Sequence, residues 1–435
     1  MSRRHASRAP PRWWHRLERT SPAAWRRHEL HCEASVTPTE PEIERAPGAL
    51  TILLGCDTFS PDINGAARFA ERLAAGLVQR GHEVHVSAPN TAWRHVPART
   101  EVIEGEPLIM HRLPSVKLWW HEWLRFVWPW RAKHWARRVL DEVRPDVVHI
   151  QSHIVIGRGL ARIARKRGIP VIATNHVMPE NILDFTRLPD ALNRVFVKLA
   201  WADARRTFQL TAAVTTPTQK AADFLEKTID VAGVLPVSCG IDMSQYTPDL
   251  EPRTENRIVF VGRLTSEKQV DVILRAVAKL DPALDVHLEL VGDGDQRPSL
   301  EKLADELAIR DRITFHGHTT DEVLRGALTR ASVFAIASIA ELQSIATMEA
   351  MASGLPIVAA DAVALPHLVH EGENGYLFAP GDVDGLAERL TTVLTASAED
   401  RGRMQRASLR MVEAHDITRT LDTFEALYRG EPIPA

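Results

Sequence analysis

From residue 50 onward, short apolar runs of four to six residues alternate with longer segments whose apolar positions recur every three or four. An unbroken apolar run between turn residues reads as a strand buried on both faces, and the longer period reads as a helix with one apolar side. In the first half the pattern predicts strands at 50–55, 83–87, 146–153, 170–174 and 212–215, with helices at 66–80, 157–166, 188–208 and 217–227. Strands separated by helices in this way pair in parallel, because a parallel connection needs a long crossover. Segment 234–242 carries strand, proline and glycine signals, and 243–256 is polar, with Pro248 and Pro252. The rhythm then restarts. Strands are predicted at 257–261, 286–291, 313–316, 331–337 and 357–360, and helices at 270–280, 320–331, 344–352, 384–395, 398–414 and 417–429, with the stretch Gly375-Tyr376-Leu377-Phe378 lying between the last strand and the later helices.

The pattern therefore predicts an α/β protein with two Rossmann-like domains, and 435 residues are too many for one core. The expected divisions are a disordered basic, Trp-containing tail at 1–48, a first domain at 49–240, a linker at 241–256, a second domain at 257–414 and a terminal helix at 415–435. The tail holds eight arginines in its first thirty residues against Glu18 and Glu29, with Trp13, Trp14 and Trp25 among them. Such a segment either touches anionic lipid or is a dispensable extension. The whole chain has a net charge of −3, which gives no pull toward nucleic acid. Cys32, Cys56 and Cys239 are odd in number and far apart, so neither a disulfide framework nor a metal spacing follows. A cytoplasmic protein, peripheral on the inner face of the cell membrane, is the expectation.

Residues 116–138 stand apart. They hold six of the eleven tryptophans, including Trp119, Trp120, Trp123, Trp128 and Trp130, interleaved with cations such as Arg125 and Arg131. Indoles beside Lys and Arg suit the lipid headgroup layer, and Pro129 prevents one continuous helix. The alternative is ordinary core beneath a loop.

Candidate chemistry gathers where strands hand over to helices, the edge at which such sheets bind ligands. In the first half these positions hold Gly65, His153, His176 and, just beyond, Glu180. Two histidines on neighbouring strand ends make either a pocket or two structural side chains. In the second half, Arg263 and Lys268 lie five residues apart on one loop, able to neutralise a diphosphate. Segment 338–360 then places Glu341 ahead of a helix starting near Ser344 and Ile345, with Glu349 inside it. Free amides at a helix start favour a phosphate, and carboxylates accept from sugar hydroxyls. No metal-ligand cluster and no Ser-His-Asp order appears in the sequence.

Gly262-Arg263-Leu264 with Lys268, the Glu341 and Glu349 pair eight apart, the run from Ala350 to Pro356 and Asn374-Gly375-Tyr376-Leu377-Phe378 together resemble the retaining GT-B glycosyltransferases of family 4. The likeness covers about 50–429. Within that family, His176 with Pro179-Glu180-Asn181 is similar to bacterial enzymes that make monoglycosyl-diacylglycerol. The resemblance implies that Glu341 holds the donor sugar's hydroxyls, Glu349 the ribose, and Arg263 and Lys268 the diphosphate. It also implies that Gly65 lets the backbone approach, that Ser344 and Ile345 offer amides, and that the last helix returns to the first domain. His153 and His176 are the acceptor-side candidates. Three departures stand out: the usual Glu-Gly-Phe-Gly is Glu341-Leu342-Gln343-Ser344, a glycine pair is Asn64-Gly65, and a His-x-His is His149-Ile150-Gln151.

The expected activity is metal-independent, retaining transfer of a hexose to a membrane lipid, diacylglycerol in the first instance, from a nucleotide sugar such as UDP-glucose or GDP-mannose, with no cofactor. A family 4 enzyme of cell-wall or exopolysaccharide synthesis, acting on a soluble or polyprenyl-linked sugar, is the first alternative. A catalytically silent nucleotide-sugar binder is the second.

Overall fold

A computed structural model of the chain describes residues 48–62, 64–117, 125–176 and 190–433. Tail residues 1–47, and with them Trp119, Trp120, Trp123 and Glu180, lie outside the described residues.

The first half contains β1 (Thr51–Gly55), α1 (Gly65–Gln79), β2 (Glu83–Pro89), β3 (Arg99–Ile103), β4 (Glu106–Leu113), β5 (Ser115–Lys117), β6 (Arg125–Val127), α2 (Ala132–Val143), β7 (Val147–Ile150), α3 (Ile156–Lys166), β8 (Val171–Thr174), α4 (Asp190–Phe208), β9 (Ala213–Thr216), α5 (Gln219–Ile229) and β10 (Leu235–Pro236). Its sheet runs β10-β9-β8-β7-β1-β2-β4-β3. Every pair is parallel except β3 with β4, while β5 and β6 make a separate two-stranded ribbon.

The second half contains β11 (Asn256–Val261), α6 (Val270–Lys279), β12 (Val286–Val291), α7 (Arg297–Glu306), β13 (Ile313–Gly317), α8 (Asp321–Arg330), β14 (Val333–Ile336), α9 (Ile345–Ala352), β15 (Ile357–Ala360), β16 (Gly375–Phe378), α10 (Val383–Leu394), α11 (Ala398–Val412) and α12 (Ile417–Arg429). Its all-parallel sheet runs β13-β12-β11-β14-β15-β16. The central strands are buried throughout, which is why they read as unbroken apolar runs.

Strand order reverses beside the first strand of each sheet, between β1 and β7 and between β11 and β14. Loops leaving the carboxyl ends of such a pair diverge to opposite faces and leave a crevice. Gly65 and His153 belong to the first pair of loops; Lys268 and Glu341 belong to the second.

The chain crosses between the halves twice, side by side. Ile241 N–H donates to His415 O (2.8 Å) and Ile417 N–H to Ile241 O (3.0 Å). Gly240, at φ +71°, allows that approach, since a Cβ there would lie 2.9 Å from the Ile417 Cα. The second crossing carries α12 back onto the first domain. Phe424 packs on Phe69 and His149, and Arg80 pairs with Asp422 and Glu425 at 2.7 Å each.

Candidate functional site

In the second domain, charge collects at the reversal point. Lys268 follows β11, Glu341 follows β14, and the Lys268 ammonium donates to Glu341 Oε1. Both side chains are largely buried, so the pair is weakly screened and fixes the loops against each other. Arg263, on the same loop as Lys268, reaches Glu267 Oε1 at 3.3 Å, and Glu267 also accepts from Thr265 at 2.7 Å. Burial holds the Arg263 guanidinium below its usual range, against the pull of Glu267 and Glu341. The loop is narrow enough to need glycine: a Cβ on Gly292, at φ +134°, would sit 2.0 Å from Gly262 O.

Helix α9 begins beside these groups. Ser344 is its N-cap, accepting from Thr347 N–H at 3.3 Å. Helix α3 makes an instructive contrast. Its first amides already meet a carboxylate, because Asp57 accepts from Val155 N–H (3.1 Å) and Ile156 N–H (2.8 Å). The start of α9 carries a neutral hydroxyl instead, so its dipole is not offset by a capping charge. Cations and a helix start on adjoining loops can stabilise an anion that gains charge as a bond breaks, and the carboxylate between them can accept from hydroxyls.

Glu349, one turn into α9, faces the other domain. Arg72 Nη2 on α1 donates to its Oε1 at 2.7 Å, and Tyr246 lies close to both. Burial, reinforced by Glu349, pushes the Tyr246 phenol well above its ordinary range. Sequence reasoning missed both Arg72 and Tyr246; the only signal was an arginine two turns into a helix rich in alanine and leucine. Gly65 faces α9 as well, since a Cβ there would lie 4.0 Å from Ile345 Cδ1.

Each departure from the family pattern has a local explanation. Asn64 caps α1, its Oδ1 accepting from Ala67 N–H at 2.9 Å. Gln343 ties its loop to the interdomain crossing, accepting from Cys239 N–H (2.7 Å) and donating to Ser238 Oγ (3.1 Å). Gln151 stands between two imidazoles, 3.1 Å from His176 Nε2 and 3.3 Å from His149 Nε2.

The first domain's edge is built differently. His149 bonds Tyr428 Oη and Thr174 Oγ1, both at 2.7 Å, and is fully buried. Burial lowers His149 to about 3 and His176 to about 4, so both are neutral at physiological pH. The structure does not bring His153 and His176 together. His153 packs against Trp201 and Phe208, whereas His176 packs against Phe69, which belongs to a different core. Among the described residues the two rings have different aromatic neighbours, and Gln151 is the hydrogen-bond partner of His176.

Of the tryptophan-rich stretch, Trp128 and Trp130 stack on each other with centroids 4.6 Å apart and are 40% and 72% exposed. Arg131 is exposed beside them, and Arg125 donates to Thr91 O at 2.8 Å. Trp135, by contrast, is core, on the apolar side of α2 with Ala136 and Val139. A hollow of about 530 Å³ lined by Leu140, Asp141, Arg144 and Arg167 opens at the opposite, amino edge of this sheet, and none of the site residues lines it. Among the described residues no cluster has the makings of a metal site.

Comparison with known proteins agrees with the fold. The family model Glycosyltransferase Family 4 matches residues 63–245, and Glycosyl transferases group 1 matches 255–396. The chain is 30% identical to the MMP alpha-(1->4)-mannosyltransferase of Mycolicibacterium hassiacum, over 80% of this chain and 90% of that one. The chain belongs to glycosyltransferase family 4. This glycosyltransferase is also 28% identical to a GDP-mannose-dependent alpha-mannosyltransferase of Mycolicibacterium smegmatis, over 84% of this chain and 93% of that protein. Its fold is GT-B, shared with sucrose-phosphate synthase from Thermosynechococcus elongatus at a TM-score of 0.71 and 17% identity, over 87% of this chain and 98% of that chain.

Proposed function

We propose that this glycosyltransferase moves a hexose from a nucleoside diphosphate sugar to a membrane lipid, diacylglycerol, with retention and without a metal. The observation that carries the donor half is the meeting of Lys268, Glu341, Arg263 and the start of α9 at one strand-order reversal. Arg263, Lys268 and the α9 amides, including that of Ile345, take the diphosphate; Glu341 orients the sugar; Glu349 takes the ribose; Gly65 closes the other side. Fixed positive groups lower the barrier by stabilising the leaving diphosphate as its charge grows.

The sugar C1–O bond to phosphate breaks and a C1–O bond to the acceptor forms on the same face. The acceptor proton passes to a phosphate oxygen, and the nucleoside diphosphate leaves. An α product made from an α-linked donor is retention, in keeping with the two relatives named as alpha-mannosyltransferases. One of those names also puts GDP-mannose first among donors to try, with UDP-glucose beside it. The exposed Trp128–Trp130 stack supports the lipid acceptor. A saccharide acceptor is the second reading, favoured by the (1->4) linkage in the name of the first relative.

The test is turnover on phosphatidylglycerol vesicles containing diacylglycerol, with guanosine and uridine diphosphate hexoses and no added metal. Glycolipid product is expected. Product only on soluble saccharides would sink the lipid half, and failure to consume any donor would sink the donor half.

A further inference from the structure

The first turns of α4 carry an apolar stripe that faces away from the core, while Val197 on the other side packs against it. Leu192, Val195, Phe196 and Leu199 are 54%, 53%, 40% and 66% exposed, although their spacing of three and four residues puts them on one side of the helix. Four large apolar side chains in one stripe differ from scattered surface leucines, because they form a continuous patch. Further along, Trp201, Ala204 and Phe208 turn the opposite side of the helix into the core. Arg194, Lys198 and Arg205 lie exposed on one flank of the stripe, at helical positions between its apolar and buried sides. The nearest acid on the exposed half, Asp203, is engaged by Arg158 at 2.8 Å and Arg162 at 3.4 Å.

The position of this stripe follows from topology. Helices α2 and α4 each run into a strand of the parallel sheet, β7 and β9, so each begins over that sheet's carboxyl edge. Both contribute to one core with α3, and α3 contacts each of them. The exposed Trp128–Trp130 stack just ahead of α2 and the apolar stripe at the start of α4 therefore border the same edge. That edge carries His149, Gln151 and His176.

We infer that the stripe on α4, with the Trp128–Trp130 stack, is the surface by which the protein docks on an anionic bilayer, bringing the acceptor edge to the lipid. This inference rests on the proposal that the acceptor is a lipid, and it names the surface that meets it. An apolar stripe flanked by cations matches a layer with acyl chains below and anionic headgroups above. From residue 128 to 140 the chain adds Arg131, Lys133, Arg137 and Arg138 and no acid. A second copy of the chain is a poorer occupant, because a two-fold contact through this stripe would set Arg194 and Lys198 of one copy near those of the other.

The test is flotation of the full chain with phosphatidylglycerol–phosphatidylcholine vesicles, without donor or acceptor. The variant is Leu192→Ser, Val195→Ser, Phe196→Ser and Leu199→Ser combined. The variant is expected to lose at least roughly tenfold in vesicle partitioning while its circular dichroism and its donor hydrolysis in solution stay unchanged. Wild type is expected to weaken on vesicles of phosphatidylcholine alone. Vesicle binding by the variant equal to wild type would overturn the inference. So would a wild-type dimer in sedimentation velocity that the four substitutions split into monomers, which would give the stripe to a second copy. Stripe-dependent flotation, together with no glycolipid product when donor and diacylglycerol are supplied in the turnover assay, would uphold the docking surface and overturn the lipid acceptor instead.

Discussion

The two sheet edges that face the interdomain crevice are made of different materials. The second domain's edge is ionic: Lys268 with Glu341, Arg263 with Glu267, and Glu349 with an arginine from across the cleft. The first domain's edge around β7 and β8 is neutral: His149, Gln151, His176, Thr174 and Thr215 join in hydrogen bonds, with two imidazoles kept unprotonated by burial. One edge is organised to meet charge and the other to present dry polarity. A transfer reaction needs this division, because the donor leaves as an anion whereas the acceptor arrives as a neutral hydroxyl.

The largest effect is expected at Glu341. Glu341→Ala should reduce transfer by about a thousandfold, because it removes the sugar's partner and leaves Lys268 unpaired. Steady-state turnover checks it, and retention of more than a tenth of wild-type activity would break the assignment of chemistry to the ionic edge. Next, Lys268→Ala and Arg263→Ala should each lower kcat/KM for the donor by roughly ten- to a hundredfold, leaving binding of an acceptor analogue unchanged. On the neutral edge, Gln151→Leu strands hydrogen bonds of His176 and His149. It should cost about 1–3 kcal/mol in urea unfolding while donor hydrolysis continues.

The last effect, on stability alone, is the acid response. His149 and His176 have folded values of about 3 and about 4, below the ordinary 6.5. Their contribution to stability is therefore complete above pH 6.5 and is lost as pH falls toward 4. Glu71, raised by burial to about 7, acts in the other direction, its contribution being lost as pH rises from 4.5 through 7. Thermal melts from pH 4 to 8 should show the acid loss, and His176→Gln should flatten part of it.

Much of this architecture is legible in the amino-acid sequence. The central strands are short apolar runs because both faces of each sheet are covered, and the ionic edge announces itself through charges at fixed distances from strand ends. Strand β3 carries no such signal, because it lies at the sheet margin, half exposed, and reads as Arg-Thr-Glu-Val-Ile. Periodicity over 132, 135, 136, 139 and 140 contains the signal that Trp135 is core, yet the neighbouring cations point to an interface instead. In α4, apolar residues occur on two sides, so period alone does not say which side is covered. Arg72 is illegible for a simpler reason, since its partner lies 277 positions away.

That distant pairing has a consequence for turnover. Glu349 is a single carboxylate in a largely buried place, with Arg72 and Tyr246 already on it. If it also serves the ribose, the empty enzyme and the loaded enzyme differ by an exchange of partners, and the same event that admits the nucleotide releases one of the ties between the domains. Release of the spent nucleoside diphosphate would then be helped by an arginine waiting to reclaim its place, so that each catalytic cycle opens and remakes that tie once.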